Sequence, residues 1–384
     1  MTRKKEAWVH FKEHVAAPLI AEHVQKLHHY YVQHRDELGE ELLEAFRPLW
    51  SEIASAQLHG DKGAIGYVIC SMLRTSIHLG TYTNRLDAYD GSWFLDTTPC
   101  SSLYDTRWVF HHLEKCVSAM HARRPEYQGA VHPQQIEQLA LQSASLYHRY
   151  VFHLFRKVMP RLIQQEEFIR LRKEEHFEIR VGEYLDISET VYVQEPLPTE
   201  KKTVRRWMEQ KKERDYVYRS ISSADCSQGC YTGMDFRYTH FTKVDFSRSD
   251  MGASLWMGIR FEQCNLEAAT VRGSILYDAV FSRCNLRGVD FSETLGNQHT
   301  WDERLCQFYG IEGVDFSGSD LSRACFRDAG LEGANFIGAQ LDGTDFTGAA
   351  LKGAMFSASA AEYGNWNEQQ RKEIEWVSDE PSTS

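Results

Sequence analysis

The sequence predicts a chain of two parts: an N-terminal α-helical domain, then an all-β solenoid that ends in a C-terminal capping helix. In the C-terminal half, a large apolar residue recurs at every fifth position from Phe316 to Phe356. An α-helix needs a recurrence near 3.6 residues and an exposed strand one near 2, so neither explains this tract. In residues 6–176, by contrast, amphipathic apolar runs alternate with short breakers, which is typical of packed helices.

Changes in composition predict the domain boundaries. We expect a mainly α-helical domain over 1–198, which includes a helix over 63–89 and ends in a short hairpin over 177–194. A basic linker or capping helix is predicted over 199–222 and the repeat over 223–358. The remaining residues, 359–384, are predicted to form the capping helix, over 362–377, and a tail.

Composition excludes several classes of function. The chain has 384 residues, is 42% hydrophobic and carries a formal charge of −11. No apolar run approaches the roughly 18 residues of a membrane span and no secretory signal is visible, so we expect no membrane association and a cytoplasmic location. Nine cysteines without a metal-type pair are expected to be reduced thiols. Residues 221–360 carry 18 acidic and 11 basic side chains, which argues against direct nucleic-acid binding.

The five-residue step predicts how coils of the solenoid stack. A small residue lies two positions before most large ones, and glycine often follows two positions after. Four five-residue sides per coil, as in the repeat family that the sequence resembles, would place residues 20 apart above one another, and one ladder becomes Phe241, Phe261, Phe281, Phe316, Phe336 and Phe356. This alignment requires an extruded loop near 292–310 that holds 15 extra residues, with Ile311 as the direct successor of Phe291 in the ladder of Phe236, Trp256 and Leu276.

Several five-residue units carry the motif of a known family. They read ANFIG at 334–338, TDFTG at 344–348, VDFSG at 314–318, CNLEA at 264–268 and CNLRG at 284–288. On these units, residues 224–358 resemble the pentapeptide-repeat family. The resemblance implies a right-handed quadrilateral β-helix with four pentapeptides per coil, and it does not extend into the N-terminal half.

The predicted loop concentrates residues that are common in recognition surfaces. Our binding candidates are Asn297, His299, Trp301, Asp302 and Arg304, because tryptophan and arginine are enriched at binding hot spots. The alternative is a spacer that lies on the β-helix with Trp301 packed against it.

A second set of candidates lies in the N-terminal half, where polar and aromatic residues crowd one stretch. They are Arg74, His78, Tyr82, Arg85, Asp87 and Trp93. Such groups can line a ligand pocket. They can also form a buried Arg–Asp and Tyr network that fixes packing, and this second interpretation is favoured.

Histidines are concentrated in the N-terminal half, where 15 of the 17 lie before residue 177. His10 and His14 match the His-x-x-Glu-His pattern of inverted zinc peptidases, but no third ligand can be singled out. We therefore assign no metal site and expect no cofactor.

No catalytic motif is visible, so the favoured function is a non-enzymatic interaction or scaffold protein whose β-helix is a rigid binding platform. We expect protein partners, with a homodimer left open. One alternative is a DNA-mimicking protein that interacts with gyrase and confers resistance, as the resemblance implies for part of the family. Another is a metal-binding or catalytic role of the histidine-rich half.

Overall fold

The computed structural model describes residues 3–196, 201–213, 215–362 and 365–378. The chain divides into two compact units. One comprises Met1–Glu195 with Asp302–Gln307, and the other comprises Pro196–Trp301 with Phe308–Ser384. Among the described residues, no helix is both long and apolar enough to cross a membrane.

The N-terminal unit combines helices with a five-stranded sheet. Its helices are α1 (Arg3–Phe11), which continues through a π-helical turn into α2 (Ala17–His59), α3 (Arg74–Leu79), α4 (Arg107–Arg123), α5 (Pro133–Leu162) and α6 (Glu166–Arg170). Its strands are β1 (Ile65–Met72), β2 (Thr83–Tyr89), β3 (Cys100–Asp105), β4 (Lys173–Glu183) and β5 (Ser188–Gln194). The sheet order is β3-β2-β1-β4-β5, and β1 pairs with β4 in parallel while the other neighbours are antiparallel.

The predicted helix over 63–89 is wrong, because this segment forms β1, the short helix α3 and β2. In β1 every residue except Tyr67 is buried. A strand buried on both faces loses its alternating pattern and cannot be distinguished by periodicity from a buried helix. The hairpin over 177–194 is present as β4 and β5, but it is the edge of the larger sheet.

Buried aromatic and histidine side chains hold the helices together. Phe46 on α2 stacks on Trp50 with ring centroids 4.9 Å apart and meets Phe155 of α5 edge-on at 5.7 Å. His148 of α5 is 2% exposed, and its Nε2 lies 2.7 Å from Nδ2 of Asn84. Burial lowers the pKa of His148 to about 3, so the ring is neutral in the folded unit.

The C-terminal unit is a β-helix with 20 residues per regular coil. Strands β6 (Ser220–Ser222), β7 (His240–Thr242), β8 (Arg260–Glu262) and β9 (Val280–Ser282) pair in parallel, so that Ile221, Phe241, Phe261 and Phe281 lie in register. The other sides of each coil are joined by single parallel bridges with the same offset, as between Asp245 and Asn265. The predicted stacking is confirmed along the phenylalanine ladder, where neighbouring rings lie 4.5–5.2 Å apart.

Recurrent glycines occupy the corners between sides. Gly318 and Gly333 have φ values of 65° and 72°, in the left-handed region that glycine adopts without steric cost. Corners without glycine keep the same conformation, as at Gln263 with φ 53°. The five-residue step therefore reflects a chain that turns at a left-handed corner on every side.

The interruption of the repeat is partly as predicted. Phe281 stacks directly on Phe316 at 5.0 Å, which confirms the 15 extra residues. Ile311, however, is not the successor of Phe291 in the ladder. Gly296 occupies that position, because Leu276 N donates to Leu295 O and Gly296 N donates to Gly330 O in the pattern of a regular coil. A Cβ on Gly296 would lie 2.4 Å from Val314 Cγ2, so the valine fills the space that a large residue would take.

The extruded segment therefore begins after Gln298. It contains the two-stranded hairpin of β10 (Thr300–Asp302) and β11 (Gln307–Tyr309). Ile311 is buried but lies outside the hydrophobic cluster of the β-helix. A glycine adds no apolar side chain, so counting apolar residues could not have located the start of the loop.

Residues at both ends of the β-helix join its hydrophobic cluster. At the start, Val204 and Met208 of α7 (Lys201–Met208) belong to the cluster. At the end, β12 (Met355–Ser357) is followed by α8 (Glu368–Glu373), where Gln370 Nε2 donates to the carbonyls of Phe346 and Ala349. The helix predicted over 362–377 is wrong in extent, because Glu375–Val377 forms the strand β13. This strand pairs with β12, and Glu375 N donates to Ala354 O.

We expect Phe336→Ala to lower the free energy of unfolding of the β-helix by about 3–5 kcal/mol, as large-to-small core substitutions do. Phe336 stacks on Phe316 at 5.0 Å and on Phe356 at 4.5 Å, so truncation leaves a cavity between two rings. Urea unfolding followed by circular dichroism measures the change, with the outward-facing Ile337→Ala as the control. A loss for Phe336→Ala no larger than for Ile337→Ala would contradict the stacking.

Acid should destabilise the N-terminal unit through His148. Its pKa is about 3 in the folded unit and about 6.5 when unfolded, so between these values only the unfolded chain binds the proton. Stability therefore falls as the pH falls through this window. His148→Gln should reduce the slope of the free energy of unfolding against pH by up to about 1.4 kcal/mol per pH unit. Urea unfolding at pH 7, 6 and 5 measures this, with the exposed His78→Gln as the control, and equal slopes for both variants would refute the assignment.

Candidate interaction surfaces

The outer slot, defined here as the position just before each inward residue of the four ladders, sets the surface of each β-helix side. In most coils an Asp or Asn in this slot accepts a hydrogen bond from the backbone N–H two residues later. Asp245, Asp315 and Asp345 accept in this way from residues 247, 317 and 347 at 2.9, 2.9 and 3.0 Å. These carboxylates therefore hold the turns, which explains much of the acidity of the tract without a DNA-like surface.

Neighbouring outer slots also bond to one another along the rod. Asn265 Nδ2 donates to Asp245 Oδ1 at 3.0 Å, and Asn285 Nδ2 donates to Asn265 Oδ1 at 2.9 Å. On another side, Asn335 Nδ2 donates to Asp315 Oδ1 at 3.1 Å. On these polar sides, ladders of side-chain hydrogen bonds therefore connect successive coils.

One side differs, because its outer slots hold Leu255, Ile275 and Leu295. Parallel bridges place these three residues directly above one another. Leu255 is 36% exposed and Leu295 is 47% exposed, while Ile275 is half-buried. We call this set the apolar outer ladder. The sequence analysis missed it, although its signal was visible as three successive departures from Asp or Asn, 20 residues apart.

The extruded segment separates the predicted binding residues rather than gathering them. Asn297 lies in the regular coil, where its Oδ1 accepts from Glu332 N at 3.1 Å, and His299 N donates to Gly310 O at 2.6 Å. Trp301 packs on Phe308 with ring centroids 4.8 Å apart. Asp302 Oδ1 accepts from Leu305 N at 3.0 Å, which closes the hairpin turn, and the side chain of Arg304 is exposed.

The six pocket candidates of the N-terminal unit lie in three different places. Arg85 binds Asp87 through Nε at 2.9 Å and Nη2 at 2.7 Å, and Ser101 Oγ donates to the same oxygen at 2.6 Å. Trp93 lies beneath the guanidinium of Arg180, with 5.2 Å between Cζ and the ring centroid. Arg85, Asp87 and Ser101 form a hydrogen-bond network. Arg180 lies on the same face of the sheet, because Asp87 and Arg180 both pair with Ile69.

The remaining pocket candidates lie apart from that network. Arg74 binds Glu183, with Nη2 2.9 Å from Oε2, while His78 is exposed on α3. Tyr82 stacks on Phe110 at 6.2 Å, and burial raises the pKa of its hydroxyl. The six residues therefore take part in several different sets of contacts.

His10 and His14 lie with ring centroids 4.4 Å apart, and His10 Nδ1 is 2.9 Å from the hydroxyl of Tyr127. In the part of the chain that the structure describes, no group of three or more His, Cys, Asp or Glu side chains could hold a metal ion. The structure therefore adds no third ligand to this histidine pair.

Comparison with known families identifies the repeat. The pentapeptide repeats model matches in eight copies, over residues 258–294 and 324–359. The C-terminal region is thus a pentapeptide-repeat region, as the resemblance implied. No curated protein sequence matches the chain.

Solved structures similar to this chain include other pentapeptide-repeat proteins. QnrB1, a plasmid-mediated fluoroquinolone resistance protein, is 20% identical over 38% of this chain and 69% of its own, with a TM-score of 0.24. Rfr23 from the cyanobacterium Cyanothece 51142 is 13% identical over 40% of this chain and 97% of its own, with a TM-score of 0.17. HetL from Nostoc sp. strain PCC 7120, which is involved in heterocyst differentiation regulation, is 16% identical over 42% of this chain and 98% of its own, with a TM-score of 0.10. At these scores the similarities carry no argument about function.

Removal of residues 299–313 should preserve the β-helix. Joining Gln298 to Val314 places Phe316 five positions after Gly296, which restores the regular step, and shortening a surface connection changes the closure entropy only slowly. We expect the melting temperature of the β-helix to change by a few degrees at most.

The matched control for this deletion removes residues 299–311 and leaves two extra residues, which breaks the step. Differential scanning calorimetry compares the two deletions. If the deletion of 299–313 is as destabilising as its out-of-step control, the segment belongs to the coil, and its assignment as an extruded segment is wrong.

Proposed function

Because its C-terminal region is a pentapeptide-repeat β-helix, we propose that this chain is a non-enzymatic interaction protein in which the β-helix is a rigid binding platform. The observation that carries the proposal is the apolar outer ladder. A protein partner with aliphatic or aromatic side chains on its surface would cover Leu255, Ile275 and Leu295.

The β-helix does not require apolar residues in these slots. Aspartate there stabilises the turn by accepting a backbone N–H, as Asp290 does from Ser292 at 2.9 Å. A leucine or isoleucine forgoes that bond and exposes apolar surface to water, which is unfavourable unless something covers it. At the adjoining corner Met257 is half-buried, whereas Tyr277 already stacks on Tyr309 of β11 with ring centroids 5.6 Å apart.

The rigidity of the platform depends on its ends, and we propose that residues 365–377 cap the C-terminal one. Trp366 stacks on Phe346 at 5.0 Å, and β13 pairs with the backbone of the last coil. Such a cap supplies hydrogen bonds to an edge that would otherwise be open to pairing with other chains.

We also propose that the protein acts in the cytoplasm, where thiols stay reduced. In support, Cys264 and Cys284 lie in inward small-residue positions and donate to the carbonyls of Phe241 and Phe261 at 3.3 and 3.4 Å. Both side chains are buried and donate a hydrogen bond, which only a reduced thiol can do.

The test replaces the ladder by Leu255→Ser, Ile275→Ser and Leu295→Ser together. Burying each of these partly exposed side chains contributes about 1 kcal/mol, so the variant should weaken binding about a hundredfold. The control replaces three exposed polar residues of other sides, by Glu267→Ser, Arg287→Ser and Asp342→Ser.

Two measurements follow the variants. Analytical ultracentrifugation measures self-association, and quantitative cross-linking in the native cells measures heterologous partners against both variants. An association present in the wild type and in the control but lost from the ladder variant supports the proposal. If the ladder variant keeps every association of the wild type, the ladder is not the binding surface.

A further inference from the structure

A groove of about 1010 Å³ lies within the N-terminal unit, between α2 and the first half of α4. Leu38, Glu41 and Ala45 line it from α2, and Trp108 and Lys115 line it from α4. Residues three, four or seven positions apart share one face of a helix, so each wall is a continuous helical face. The end of β3 closes the bottom of the groove with Tyr104.

The floor of the groove is apolar and well anchored. Leu38 is 3% exposed and Tyr104 is 2% exposed. The half-buried Trp108 is oriented by its Nε1, which donates to the hydroxyl of Tyr104 at 3.1 Å. The ring of His112 lies 5.7 Å from that of Tyr30, and its Nδ1 is buried without a hydrogen-bond partner among the described residues.

The rims carry one available charge of each sign. Most lining charges already have partners, since Glu40 binds Arg161 at 2.7 Å and Glu44 binds Arg47 at 3.0 Å. In the described parts of the chain, neither Glu41 of α2 nor Lys115 of α4 forms an ion pair. Both side chains are exposed. The helices α2 and α4 run antiparallel, with Tyr31 beside Trp108 and Tyr30 beside His112. Glu41 therefore lies at the β3 end of the groove and Lys115 at the other end.

We propose that this groove binds an amphipathic helix of a partner protein. The helix would place its apolar face over the half-buried Trp108 and Tyr30, a basic side chain toward Glu41 at one end of the groove, and an acidic side chain toward Lys115 at the other end. This is a second recognition site, on residues distinct from the apolar outer ladder, and it does not rest on the function proposed for the β-helix.

The dimensions of the groove favour a helix over other ligands. Tyr30 and Ala45 mark its extent along α2, about 22 Å at roughly 1.5 Å per residue, which is longer than a small metabolite. Both long walls are helices whose backbone groups bond internally. The edge strand β3 reaches the groove only with Tyr104 and Asp105, a segment too short for an extended strand to pair with. Side-chain packing of a helix in a groove needs no such edge.

The experiment selects binders from a random 16-residue peptide library on the full chain. We expect the recovered peptides to have apolar residues at helical spacing, with a basic residue near one end and an acidic residue near the other. Fluorescence anisotropy then measures each peptide against the variants Trp108→Ala, Glu41→Lys and Lys115→Glu. Each substitution should weaken binding at least tenfold.

A charge exchange identifies the groove and the orientation of the helix. A recovered peptide with its two flanking charges interchanged should bind poorly to the wild type and regain affinity for the Glu41→Lys, Lys115→Glu double variant. Glu137→Lys, an exposed charge reversal on α5, is the matched control and should leave binding unchanged. If Trp108→Ala unfolds the unit, the two surface charge variants still decide the outcome.

Two results would overturn the proposal. In one, the recovered peptides bind the charge variants as tightly as the wild type. In the other, no peptide is enriched over the library. Enrichment of peptides without helical spacing that still depend on Trp108 would also count against a helix as the occupant.

Discussion

The inward stack of apolar side chains 20 residues apart is the constraint on which the C-terminal unit depends. A single coil cannot bury its own large residues, so each ring needs the rings above and below it. The backbone bonds between coils follow the register of this stack, as between Phe281 and Phe316. The stack also tolerates a gap, because Val314 fills the space left by Gly296.

This constraint leaves the outer slot as the position that selection can change most freely. The large residue, the small residue and the left-handed corner are each required by the coil, whereas Asp245 and Asn265 in the outer slot add only a turn bond and a ladder bond. Replacing them by leucine or isoleucine on one side therefore alters the surface and not the fold. A β-helix can thus acquire a binding face without rebuilding its core.

The N-terminal unit follows a different principle, since its surfaces arise where distant elements meet. The groove combines residues of α2, β3 and α4, and the bond between Trp108 and Tyr104 orients its floor. Its buried histidines also make this unit sensitive to acid, because folding holds His148 neutral over a range where the unfolded chain is protonated. In the C-terminal unit, burial also lowers the pKa of His240 of β7, so the sensitivity to acid is not confined to one unit.

The sequence by itself determined the repeat and the number of extra residues in the loop, because a five-residue period leaves the same chemical pattern in every coil. The four sides per coil followed from the resemblance to the pentapeptide-repeat family. It also contained the apolar outer ladder, as Leu255, Ile275 and Leu295 at a spacing of 20. Only the tertiary structure decided that Gly296 continues the coil, that Ile65–Met72 is a strand, and that Glu41 and Lys115 line one groove. The physical reason is that a glycine has no side chain to count, a doubly buried strand has no alternation, and a groove between helices depends on contacts between residues far apart in the chain.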